Sequence, residues 1–365
     1  PRGGTSGRAQ SAYVWAPGSI GATRLLARLL GEGYAVAVVE RPMRVGNRSF
    51  PRGSYIARVG RNPASLHNRI AALARDAGVE VFAASTAFPE RGPTGTGSET
   101  TRSLRAPRIA VLAGEGVSTT SYGALWFTLQ EQIAQPFTAL RLDRLSAALL
   151  ADYDVLVMPD GRYGALTDAA VRDLKGWMER GGTLLAYAGG ARVAADHGLA
   201  PPAPDTSTHS PDTLASIRQA VDAEVTTDVA LPPVASPAAT VPELPVPGAF
   251  LRAQTDTTHW LTYGLTGGTD RVTLLARHRP LPLSVQGASP VTYAEQDLVV
   301  SGFAWPVLTE RTYGRQAYAT VDRVGRGRVV RLAEDPVFRV WADAPIHLLT
   351  NTLYLGSRPG RGGGY

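Results

Sequence analysis

Leu184-Leu185-Ala186-Tyr187-Ala188-Gly189-Gly190-Ala191 reads as an apolar strand running straight into two glycines and a helix-forming stretch. A strand apolar at every position has both faces covered, the condition of a parallel sheet with helices on either side. A sharp strand-to-helix corner presents its residue at the carboxyl edge of the sheet, where open α/β sheets take ligands. Here the corner lacks a reactive atom. The chain has no cysteine, and neither Ser nor Thr stands in the turn. Tyr187, placed at the corner, is bulky, and its phenol has an ordinary pKa of about 10.

Reading outward, the same alternation repeats on the amino-terminal side. Residues 108–113 form an apolar strand ending in Gly114-Glu115-Gly116. A helix is expected over 122–133, a strand over 137–142 and a short helix capped by Asp143 through Leu150. A buried strand over 154–158 ends in Pro159-Asp160-Gly161-Arg162-Tyr163-Gly164. Thr167 or Asp168 caps the next helix, which runs to Arg180 and is stopped by Gly181-Gly182. This order gives parallel strands joined by right-handed crossovers. Nearer the amino terminus, strands at 13–16, 34–39 and 79–84 alternate with two helices. One carries Leu25, Leu26, Leu29 and Leu30 at helical spacing. The other spans 63–77, with Asn62 as N-cap and Pro63 at the first helical position. Beyond residue 200 the pattern dissolves into Pro, Ala, Thr and Ser, with a short helix near 213–220. It resumes with strands at 272–277, 298–301, 318–321 and 329–332 and a closing helix over 345–355.

Composition narrows the function classes. With 365 residues and 44% hydrophobic content, the chain can bury two cores. No apolar run reaches the roughly 20 residues of a membrane-spanning helix, and Pro1-Arg2-Gly3-Gly4 shows neither the basic n-region nor the apolar h-region of a signal peptide. The chain begins in mid-motif, as a piece of a longer protein would. The net charge of +6 comes from 37 basic residues, of which Lys175 is the only lysine. The arginines are scattered, and the one dense group, Arg323, Arg326, Arg328 and Arg331, is expected on the solvent face of a strand without interleaved aromatics. This pattern argues against nucleic acid as a partner. None of His67, His197, His209, His259, His278 and His347 has a glutamate three positions later, the His-x-x-Glu spacing of a zinc peptidase; only His209 has an acidic residue there, Asp212. No metal site, catalytic residue or cofactor is expected in this chain.

Five segments carry a resemblance: Phe50–Ser54, Arg108–Val117 (RIAVLAGEGV), Asp154–Gly164 (DVLVMPDGRYG), Gly181–Ala195 (GGTLLAYAGGARVAA) and Gly325–Phe338 (GRGRVVRLAEDPVF). In that order they resemble the carboxy-terminal, non-peptidase half of secreted zinc carboxypeptidases of the carboxypeptidase-A-like superfamily. That half ends in a class I glutamine-amidotransferase-like domain, whose catalytic relatives carry a nucleophilic Cys at the strand–helix corner. Similar modules occur in trehalose-utilisation-type proteins and in some β-galactosidases. The resemblance implies an extracellular or periplasmic home and zinc only in a peptidase domain outside this chain. It also makes Tyr187 the degenerate nucleophile position.

The expected fold class is α/β, with doubly wound, mostly parallel sheets. A small α/β unit occupies residues 1–88 and a linker 89–107. A flavodoxin-like, amidotransferase-like core occupies 108–200, with an insertion at 201–250. Strands and a closing helix at 251–356 complete the second domain, before a flexible tail at 357–365. Glu115, Asp160, Arg162 and Tyr163 follow strand ends and are the candidate ligand-binding residues; tight turns with solvated charges are the plainer reading. The preferred functional expectation is a non-catalytic accessory module binding a protein partner, itself or a cell-surface polymer. Alternatives are a structural component of an extracellular assembly and a hydrolase with a relocated acid–base site, using Asp160, Glu115 and His197 or His347.

Overall fold

The computed structural model describes residues 3–86, 100–201, 246, 248–265 and 271–357. Most of the expected linker and insertion, the helix expected near 213–220, His209 and nearly all of the tail lie outside them.

The amino-terminal sheet contains β1 (Gly4–Thr5), β2 (Ala12–Trp15), β3 (Ala37–Val39), β6 (Tyr55–Arg58), β7 (Glu80–Ala84) and β8 (Thr101–Ser103). Beside it sits a small hairpin of β4 (Met43–Val45) and β5 (Arg48–Phe50). The order is β1-β7-β2-β6-β3-β8, and only β1 and β7 run parallel. The mostly parallel sense expected of this unit is thus replaced by an antiparallel one: β2 lies between β6 and β7 and runs opposite to both. Helices α1 (Ile20–Gly31) and α2 (Leu66–Asp76) cover it, α1 burying Leu25, Leu26, Leu29 and Leu30. Ser19 caps α1 by accepting from the Ala22 N–H. Asn62 does not cap α2. Its side chain accepts from the Ala35 N–H and donates to the Ala35 and Arg58 carbonyls, pinning the approach to β3, and α2 begins only at Leu66.

The second sheet holds the strand–helix corner. Its parallel part comprises β9 (Ile109–Ala113), β10 (Thr138–Arg141), β11 (Val155–Met158), β12 (Thr183–Tyr187) and β18 (Gly327–Leu332), in the order β10-β9-β11-β12-β18. Numbered along the chain within this set, the order is 2-1-3-4-5, that of flavodoxin-like doubly wound folds. β11 and β12 are buried at every residue, as all-apolar strands between two helical layers must be. Those layers are α3 (Thr119–Trp126), which continues as a π-helical segment over Phe127–Ile133, then α4 (Ala147–Leu150), α5 (Asp168–Glu179) and α6 (Gly189–Asp196). Ser146, rather than Asp143, caps α4, and Thr167 caps α5.

Beyond β18 the sheet continues antiparallel through β17 (Ala317–Val324), β15 (Ala288–Tyr293), β13 (Gly248–Thr255) and β14 (Arg271–Ala276). β16 (Val299–Phe303) is also paired to β13. Helix α7 (Pro306–Tyr313) and the almost wholly buried α8 (Asp343–Leu355) complete the fold. The dense arginine group does not share a solvent face. Arg331 is buried against Asp322 (Nη2 to Oδ2, 3.5 Å) with Thr320 accepting from its Nε, whereas Arg323 and Arg326 are exposed. The two units meet directly: Arg24 donates to the Glu131 and Gln132 carbonyls, and Arg102 to that of Leu355.

Candidate functional site

The strand–helix corner is strained at Ala188, which has φ 50° and ψ −120°. A non-glycine residue held there costs on the order of 1–3 kcal/mol and persists only because its surroundings impose it. Those surroundings are the two glycines. A Cβ on Gly189 would lie 2.3 Å from the Gly161 carbonyl oxygen, and one on Gly190 2.4 Å from that of Pro159. The corner therefore packs directly on the backbone leaving β11. This is the geometry of a nucleophile elbow, in which the residue after the nucleophile lends its N–H to an oxyanion. The left-handed position is Ala188, a methyl group. Tyr187, the last strand residue, is fully buried. Its hydroxyl faces Ser121 without a hydrogen bond of ordinary geometry. Burial, reinforced by Asp335, holds the phenol well above its usual pKa.

The Gly189 N–H is already taken: Asp160 Oδ1 accepts from it at 2.8 Å. A carboxylate on the first turn of α6 suits the positive end of the helix dipole. It also fills the place an oxyanion would need. The rest of the Asp160 loop is laced to the loop after β9. Ser118 N–H donates to the Asp160 carbonyl and Arg162 N–H to that of Gly116, both at 2.8 Å, and Val117 bridges Gly161. A Cβ on Gly161 would meet the Gly116 carbonyl oxygen at 2.4 Å. This lacing bridges the β9/β11 switch point, where flavodoxin-like folds hold their ligands. Tyr163 is buried at φ 52° and donates to the Pro159 carbonyl, while Glu115 and Arg162 are exposed. Of the four candidates, only Asp160 combines partial exposure with a place at the corner.

The polar groups that join Asp160 come from farther along the chain. β18 runs parallel to β12, so the residues after Leu332 emerge at the same edge. Glu334, 3% exposed, accepts the backbone N–H groups of Arg277 and His278 on Oε1 and contacts His278 Nδ1 through Oε2 at 2.6 Å. This bond, above all, raises the His278 pKa; Asp160 adds to it, while burial and Arg192 oppose it. Tyr313 donates to the His278 carbonyl at 2.7 Å, completing the mount. Asp335 accepts the Val337 N–H at 3.0 Å. Burial pushes its carboxyl up to about 6; Asp160 and Glu334 add to that rise, and the Ser121 hydroxyl and Val337 N–H oppose it. The edge thus holds an imidazole oriented by a buried carboxylate, the Asp335 carboxyl whose pKa burial raises, and the Asp160 carboxylate seated on the α6 amino terminus. Of the other histidines named from the sequence, His347 is buried in α8 and held neutral by desolvation, its pKa lowered to about 4. His197 is the C-cap of α6, at the far end of that helix from the corner.

The sequence offered one signal for this site. Glu334-Asp335 directly follows the last parallel strand, as Asp160 follows β11. His278 had none, because 56 residues separate it from Glu334. Among the described residues no group of three or more His, Asp or Glu side chains could hold a metal ion, and no helix is long and apolar enough to cross a membrane.

No protein-family model and no curated protein matches the chain. Several solved structures do, at low identity. A putative ThuA-like protein from Bacteroides uniformis is 14% identical over 67% of this chain and 90% of its own, with a TM-score of 0.36. A putative GMP synthase component from Thermoplasma acidophilum is 10% identical over 68% and 92%, with a TM-score of 0.39. The β-galactosidase of Bacillus circulans sp. alkalophilus is 12% identical over 71% of this chain but only 32% of its own length, with a TM-score of 0.32. What these proteins bind or catalyse does not transfer at such values. The 2-1-3-4-5 parallel order and the elbow at Ala188 define the class: a flavodoxin-like, doubly wound α/β domain extended by an antiparallel half-sheet.

Proposed function

We propose that this chain is a binding module on an amidotransferase-like scaffold that lacks acyl-transfer chemistry, with its ligand site at the carboxyl edge beside Asp160, Asp335 and His278. One observation carries the reading: Asp160 occupies the Gly189 N–H at an elbow whose residue is Ala188. Acyl transfer needs a nucleophile and a free donor for the developing oxyanion, and this corner offers a methyl group and a carboxylate. Glutamine and p-nitrophenyl acetate are the test substrates. Purified chain should release ammonia or nitrophenol no faster than buffer, and turnover lost on Asp160→Asn would overturn the reading.

The ordered sequence phrases support a finer statement. The module accompanies a secreted zinc-carboxypeptidase-like enzyme outside the cell or in the periplasm, and contacts a partner protein, a second copy of itself or a surface polymer. Sequencing the parent reading frame upstream of Pro1 tests this; a frame without a zinc-peptidase motif would refute it.

The His278–Glu334 pair favours a second reading, acid–base hydrolysis at a relocated site. A carboxylate on Nδ1 leaves Nε2 as the proton-transferring atom, the arrangement that serves general bases. In that case hydrolysis follows a pH profile abolished by His278→Gln and untouched by substitutions at Ala188.

A further inference from the structure

The groups at the carboxyl edge restrict the chemistry of what can bind there. Asp160 and Asp335 each spend one oxygen on a backbone N–H, from Gly189 and Val337, the Ser121 hydroxyl also engages Asp335, and both carboxylates keep acceptor capacity on their remaining lone pairs. His278 spends Nδ1 on Glu334, and among the described residues its Nε2 has no partner. Arg192, on α6, is exposed. An anionic ligand would face two carboxyl groups. A cationic one would face Arg192 and an imidazole whose charged form Glu334 stabilises. A neutral ligand whose groups both donate and accept meets all four, and the hydroxyl group has that property.

An aromatic platform adjoins these groups. The Arg277 guanidinium, one residue before His278, lies 4.2 Å from the centre of the Phe338 ring. Phe338 in turn meets Trp341 edge-on at 5.6 Å. Trp341 is 57% exposed. Arg339 and Val340, which aim it outward, both sit at φ 53°. Backbone strain in two consecutive non-glycine residues, one of them β-branched, holds a large indole in water. The Arg339 guanidinium lies over the Trp341 ring, 5.2 Å from its centre, and the exposed remainder of the indole beside convergent polar groups is the mixed surface of a small-ligand site.

We propose that this corner binds a neutral carbohydrate, with ring hydroxyls bridging Asp160 and Asp335 to His278 and Arg192 while the apolar face of a sugar ring lies on Trp341. The proposal rests on reading the carboxyl edge as the ligand site. The test uses the whole chain, with the hexasaccharides of glucose, mannose and N-acetylglucosamine as probes and inorganic phosphate and spermidine as charged controls. Binding is followed by tryptophan fluorescence and calorimetry. At least one hexasaccharide should bind saturably. Trp341→Ala and Asp335→Asn should each weaken it about tenfold, near 1.4 kcal/mol, and Trp341→Ala should also remove the fluorescence change. Arg192→Gln, on an exposed helix face, provides a variant that folds whatever the fate of the others, and should weaken binding as well. Indifference of every hexasaccharide to the folded protein, or binding untouched by Trp341→Ala and Arg192→Gln, would overturn the proposal. Phosphate or spermidine bound in a way that depends on Asp335 and Arg192 would refute the carbohydrate and leave the edge site standing. Insensitivity of all probes to both substitutions would remove the edge site too.

Discussion

Ala188 is the residue at which the scaffold and its missing chemistry meet. Its backbone is held in a region where only glycine is unstrained. Ala188→Gly should therefore stabilise the fold by about 1 kcal/mol, read as a higher midpoint in urea with an unchanged slope. Asp335 makes a pH-dependent prediction. Its carboxyl is raised from 3.8 to about 6, so the folded state binds the proton more tightly than the unfolded chain. The resulting penalty is absent below pH 4, grows between pH 4 and 6, and is fully present above, at about 3 kcal/mol. Asp335→Asn should then be more stable than the parent at pH 7.5, and the difference should vanish at pH 3.5. His347 acts in the opposite direction. Burial lowers its pKa to about 4, so the unfolded chain takes up the proton first. Stability falls as pH drops from 6.5 towards 4, by about 3 kcal/mol; a chain in which His347→Gln leaves the acid limb of the stability profile unchanged would contradict this.

At the scale of elements, two features carry the second sheet. The β12–α6 corner needs Gly189 and Gly190 for close approach to the backbone leaving β11, as the clashes of an added Cβ with Gly161 and Pro159 show. Gly190→Ala should cost about 1–3 kcal/mol through displaced backbone, visible as a lower unfolding midpoint. The β17–β18 hairpin encloses Arg331 and Asp322, 3% and 0% exposed, with Ser284 donating to Asp322 and Thr320 accepting from Arg331. A buried pair is weak evidence of stabilisation, but removing one partner strands the other charge. Asp322→Ala should cost about 3–5 kcal/mol, and Asp322→Ala combined with Arg331→Met should recover most of it.

Across the molecule, the sequence announced β9, β11 and β12 because each is a short apolar run followed within three residues by glycine, whereas β10 and β18 carry arginines and were placed by the alternation around them. It announced the elbow for the same reason, one residue from its strained position. The antiparallel sense of the first sheet was hidden, since β2, β3 and β6 are as apolar as parallel strands and their order depends on contacts between residues far apart. β13 shows alternating burial, but its apolar residues are mixed with Gly, Arg, Gln and Thr, and it follows a Pro-rich stretch that masks its start. The candidate site was legible only in part. Asp160 sits at a recognisable strand end, whereas His278 reaches the edge through the antiparallel extension and no local spacing marks it. The seam between the units was not legible at all. Arg24 and Arg102 donate there to backbone carbonyls, which carry no side-chain signature.

The bond from Asp160 to Gly189 has a practical consequence in a chain without cysteine. Ala188→Cys would create the only thiol in the molecule, so its rate with a thiol reagent reports on a single corner. The α6 amino terminus favours the thiolate and Asp160 opposes it. We expect slow alkylation in the Ala188→Cys variant and faster alkylation when Asp160→Asn is added. One rate constant would then measure how firmly a carboxylate has closed this corner.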